Sequence, residues 1–66
     1  MEDKQKICDL LLATLQATYS GHEIVSLKYD ADNERVIITY ASGGHRSVNV
    51  AMDSGTAMIR DVMKFI

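Results

Sequence analysis

The chain has one cysteine, Cys8, in its 66 residues, so no disulfide can form within it. Two histidines in separate segments add no zinc-ligand spacing to that lone thiol. A basic excess is also missing: nine acidic and seven basic residues leave a net charge of −2. That balance disfavours sequence-independent binding to the phosphates of DNA or RNA. It is equally too weak for an acidic mimic of DNA. No apolar run approaches the roughly 18 residues that a membrane helix requires. The charged opening, Met1-Glu-Asp-Lys-Gln-Lys6, leads straight into an amphipathic pattern and does not read as a signal peptide. Repeats, linkers and low-complexity segments are absent. These absences favour a cytoplasmic protein with no membrane partner and no bound cofactor.

What is present is a globular composition, 47% hydrophobic, which argues against disorder. Residues 1–66 read as a single domain. A chain this short buries a small share of its surface and tends to be marginally stable. With neither disulfide nor metal to staple it, a partner chain is the remaining source of stability, and a homodimer through the helical side is expected.

Asp3 to about Tyr19 reads as a helix. Ile7, Leu11 and Leu15 recur every four residues, Asp3 can cap the start, and Gly21 follows the end. Cys8, Leu12, Leu15 and Tyr19 form a second apolar stripe beside the first. His22 to Asp30 alternates, with Val25, Leu27 and Tyr29 on one side and Ile24, Ser26 and Lys28 on the other. After an Asp/Asn-rich turn, Arg35 to Tyr40 turns Val36, Ile38 and Tyr40 inward. After Ala41-Ser-Gly-Gly44, His45 to Val50 turns Val48 and Val50 inward. Short connections between consecutive strands favour an antiparallel meander. The final segment reads as a capped helix with Ile59, Val62, Met63 and Ile66 as its core stripe and Met58 and Phe65 off it. The expected fold is α+β: an α-β-β-β-α two-layer sandwich with both helices on one face of a three-stranded sheet.

Three surfaces are candidates for function. Both helices carry more apolar surface than one sheet can cover. The surplus residues Cys8, Leu12, Tyr19, Met52, Met58 and Phe65 therefore mark an expected interface on the helical side. The Asp53-Ser54-Gly55-Thr56 junction places Ser54, Gly55 and Thr56 at a helix N-terminus, where N–H groups can hold an anion. Self-capping by Asp53 and Ser54 explains the same residues better, and the Asp53 carboxylate opposes an anion. The third surface is the outer sheet face with Lys28, Arg35, Ile37 and His45, which lacks the aromatics that stack single-stranded bases. Asp30, Asp32 and Glu34 are too few and wrongly spaced for calcium and read as a solvated turn. No activating neighbour marks Cys8 as a nucleophile, nor do His22 and His45 have matched partners.

Val48-Asn-Val50, followed by Asp53-Ser-Gly55, Ala57-Met-Ile59 and Asp61-Val62, with the strand and turn Val36 to Gly44 before them, resembles a family of very short proteins from phages and prophages of Gram-positive gut bacteria. The resemblance covers roughly the C-terminal half and transfers no site residues. Those proteins are similar in size and largely without assigned activity, and small phage proteins of this size often act by binding and inhibiting host machinery, including defence systems. Some anti-CRISPR proteins share the helix–three-strand–helix order, but they are more acidic than this chain.

The residues thus point to a non-enzymatic protein–protein interaction module, and the resemblance implies a small phage-encoded inhibitor or modulator of a host protein such as a defence protein. The alternative is a small-ligand or nucleotide-binding module, using Asp53–Thr56 or a dimer groove with Arg46 or Arg60 supplying charge. Nucleic-acid binding by the polar sheet face ranks third.

Overall fold

The computed structural model describes residues 3–18 and 23–66. Its elements are α1 (Lys4–Gln16), β1 (Ile24–Asp30), β2 (Arg35–Tyr40), β3 (His45–Asn49) and α2 (Gly55–Met63). The strands form one antiparallel sheet in the order β1-β2-β3. Both helices contribute side chains to a single core on one sheet face, so the expected α-β-β-β-α layout is the observed one.

Each helix begins where a side chain can take up a free N–H. Asp3 accepts the Lys6 N–H at 3.0 Å, and Ser54 accepts the Ala57 N–H at 3.2 Å. α1 ends at Gln16 with Ala17 as its C-cap. Tyr19 and Gly21, expected to close that helix, lie outside the described residues, as does His22.

The β1–β2 turn is tied by Asp30. Its carboxylate accepts the backbone N–H groups of Asp32 (3.1 Å) and Asn33 (3.4 Å) and the Asn33 side-chain amide (2.8 Å). The Asn33 amide is the main reason the Asp30 carboxyl titrates below its ordinary value. The left-handed position falls on Glu34, at φ 51°, and not on an Asp or Asn. In the β2–β3 turn only Gly43, at φ 95°, uses the positive-φ freedom of glycine.

The core joins Cys8 and Leu15 of α1, Ile24 and Leu27 of β1, Val36 and Ile38 of β2, Val48 and Val50 at the end of the sheet, and Met58 and Val62 of α2. Val36, Ile38, Val50 and Met58 are wholly inaccessible. Burial of each such side chain stabilises the fold by about 1.5–3 kcal/mol.

Two expected orientations are corrected. Ile24 is buried and Val25 is half exposed, the reverse of simple alternation. Ile24 pairs with Tyr40 and Ser26 with Thr39, so Val25 is an extra residue in β1. Such a bulge changes the parity of the faces on its two sides, which lets Ile24 and Leu27 both point inward. On α2 the core stripe is Gly55, Met58 and Val62, with Ile66 packed against the core beyond the helix. Ile59 and Met63, expected in the core, are 37% and 47% exposed.

Candidate interaction surface

The corrected phase of α2 redraws the apolar exterior. Cys8 and Met58, expected at an interface, are core residues at 1% and 0% exposure. Their side chains fill the space between helix and sheet and are not available to a partner. Leu12 is partly buried against the same core. Tyr19 lies outside the described residues. Phe65 remains exposed beyond α2, and the Arg46 guanidinium lies 5.3 Å from its ring centroid. Met52 is almost wholly exposed and left-handed, at φ 64°.

The residues that the helices turn outward together are different ones. Ile7, Leu10, Leu11 and Thr14 follow the i, i+3, i+4, i+7 spacing of one helical stripe. With Ile59 of α2 they line an open groove of about 260 Å³. Leu10 is 62% exposed, and Met63 lies one turn beyond Ile59 on the outer side of α2. The Thr14 hydroxyl donates to the Leu10 carbonyl at 3.0 Å, so it spends its proton within the helix. No charged side chain lines the groove. The outward surplus of α1 was expected on Cys8, Leu12 and Tyr19; the groove instead uses Leu10 and Thr14 with the partly buried Ile7 and Leu11, and Ile59 was expected in the core.

The Asp53–Thr56 junction is engaged with itself. Ser54 is the cap, Gly55 is buried, and the Met58 N–H donates to the Ser54 carbonyl at 2.9 Å. Asp53 does not cap the helix. Its Oδ2 is shielded from solvent with no donor directed at it. It faces Asp61, and a proton on Asp53 turns that contact into a hydrogen bond. This raises its pKa above the ordinary value, with lost hydration and the Asp61 charge adding to the effect; Lys4 and Lys64 oppose it. A carboxyl pair at this position does not invite an anion.

Lys28, Arg35, Ile37 and His45 do share the outer sheet face. Lys28 pairs across the strands with Ile37, Ile37 with Ser47, and Thr39 with His45. Arg35 Nη1 reaches Ser47 Oγ at 3.5 Å. Tyr29 and Tyr40 pack against the core on the opposite face, so no aromatic among the described residues offers this face a stacking platform. The Cys8 thiol is pushed up to about 11, first by burial and then by the Asp9 charge. It is therefore protonated and unreactive at neutral pH. Among the described residues, no cluster of three His, Cys, Asp or Glu side chains could hold a metal ion, and no helix is long and apolar enough to cross a membrane. Comparison of the chain with protein-family models, curated proteins and solved structures returns no match.

Proposed function

We propose that the protein is a non-enzymatic interaction module that docks a partner protein on its helical side, at the groove between Leu10 and Ile59. The observation that carries this reading is an apolar, uncharged groove on the exterior of the helical layer, with Leu10, Ile59 and Met63 exposed at or beside it. Exposed patches of this kind commonly serve protein contacts. A short apolar segment of a partner would gain about 25 cal/mol for each Å² it buries there. The similarity of the C-terminal half to short phage and prophage proteins makes a host protein, and a defence protein first, the partner class to screen.

Affinity capture from a Gram-positive host lysate tests the reading. The wild-type chain should retain a discrete host protein, and the double variant Leu10→Glu, Ile59→Glu should lose it by tenfold or more, about 1.4 kcal/mol. Equal capture by a folded variant would remove the groove from the account. Substrate turnover by the pure protein, abolished by a point mutation, would overturn the non-enzymatic reading.

A further inference from the structure

A three-stranded sheet has two edges, and this chain treats them differently. α1 lies along β1 and takes up part of its edge with side-chain amides. Gln5 Oε1 accepts the Tyr29 N–H at 2.8 Å, and Gln5 Nε2 reaches the Leu27 carbonyl at 3.5 Å. Gln16 Nε2 donates to the Ile24 carbonyl at 2.9 Å. Gln5 and Gln16 are eleven residues apart, about three helical turns, and so lie on the same face of α1.

The β3 edge has no such cover. Its backbone polarity follows from the bonds that bracket it. Tyr40 N–H donates to the Gly44 carbonyl at 2.8 Å, and Val50 N–H donates to the Glu34 carbonyl at 2.9 Å. Between these, Val48 pairs with Val36 and Arg46 with Ile38. Even-numbered residues therefore face β2, and the N–H and C=O groups of His45, Ser47 and Asn49 face outward. Among the described residues no element pairs with them. Of the devices that block sheet edges, β3 has its short length and one charge, Arg46, which pairs with Ile38 and leans toward the Phe65 ring on the inner face; it has no proline and no lysine, and the His45, Ser47 and Asn49 side chains carry no fixed charge.

We propose that this edge pairs with β3 of a second copy of the chain, antiparallel and centred on Ser47. In that register Ser47 faces Ser47 of the second copy, His45 faces Asn49, and Arg46 faces Val48. Every outward N–H and C=O of the strand then finds a partner, and no like charges oppose each other. Centring on Arg46 would set two guanidiniums face to face, which is unfavourable. Centring on Val48 would shorten the overlap. Since Gln5 and Gln16 occupy the other edge, the contact is two-fold and closes at a dimer instead of growing into a filament. The Leu10–Ile59 groove lies on the helical layer and plays no part in this pairing.

Light scattering on the purified chain at millimolar concentration, together with the variant Ser47→Pro, tests the proposal. Proline at 47 removes an N–H that serves no bond among the described residues, so its cost to the fold is small on an edge strand. Twice the monomer mass for wild type and the monomer mass for S47P, with unchanged far-UV circular dichroism, is the expected result. A monomeric wild type, or a folded S47P that stays dimeric, would overturn it. Should S47P fail to fold, a spin label on Ser47→Cys decides. Strong dipolar broadening there, and none for a label on Asp32→Cys at the hairpin tip, supports the pairing; no broadening at 47 rejects it.

Discussion

Gln5 and Tyr29 meet where helix meets sheet edge, the Tyr29 N–H donating to Gln5 Oε1 at 2.8 Å. The same side chain also donates to Asp9 Oδ1 at 2.8 Å, which fixes its amide plane along α1. Lys4 Nζ lies 5.6 Å from the Tyr29 ring and closes over the same contact. One neutral side chain thus stands in for part of a neighbouring strand. Gln5→Ala leaves the Tyr29 N–H without its acceptor and should cost about 1–2 kcal/mol. Amide hydrogen exchange gives the specific signature: faster exchange at Tyr29, with the β2 amides slowing or quickening only as global stability changes.

The phase of α2 separates two adjacent residues. Met58→Ala leaves a cavity in the core and should cost about 2–5 kcal/mol. Ile59→Ala, on the exposed side, should stay within about 0.5 kcal/mol of wild type. Urea unfolding of the two variants reads the difference directly. Equal losses would place the helix in the wrong rotation.

Asp53 makes stability fall as pH rises. Its folded-state pKa is above the ordinary 3.8, so the folded state binds the proton more tightly than the unfolded chain. The contribution is fully present below the unfolded value and is lost as pH rises through the raised folded value. Asp53→Asn removes that dependence and supplies an amide donor to Asp61. The variant should melt higher than wild type at neutral pH, and the gap should narrow on acidification. A variant that melts lower than wild type at pH 7 would contradict the carboxyl-pair geometry.

Cys8 acts in the same sense in the alkaline range. Its thiol shifts from 9.0 to about 11 on folding. Stability should therefore decline between these values, by on the order of 2 kcal/mol in all. Cys8→Ala should flatten the alkaline limb while losing some core packing at every pH. At pH 7, thiol labelling of the folded wild type should proceed only through opening of the structure.

Much of the architecture was legible in residue patterns. Asp3 and Ser54 are caps of the type that starts helices, and the strands alternate cleanly where Val36, Ile38, Val48 and Val50 point inward. What failed was the phase in two places, for one reason. A bulge at Val25 exchanges the faces of β1, and a rotation of α2 by roughly 50°, half of one residue's step, brings Met58 inward and Ile59 and Met63 outward while Val62 and Ile66 stay at the core; neither changes the composition of its segment. On α2 the apolar arc includes Met58, Ile59, Val62, Met63 and Phe65, so the sequence admits either rotation. α2 enters from the Val50–Ser54 turn, where Met52 adopts a left-handed backbone at φ 64°. The surface candidates inherited that ambiguity: Met58 exchanged places with Ile59, and on α1 Cys8, expected outside, is buried while Leu10 is exposed. The glutamine seal on β1 could not be read from local pattern at all, since Gln5 and Gln16 look like ordinary polar positions until the helix is set against the edge.

The proposed role of the Leu10–Ile59 groove is tested most directly by methyl NMR. Ile59 reports the groove and Ile37 the outer sheet face, on opposite sides of the molecule. On addition of the captured partner protein, the Leu10 and Ile59 methyl resonances should shift or broaden while Ile37 stays in place. Movement of Ile37 with Leu10 and Ile59 unchanged would contradict the account and assign binding to the sheet.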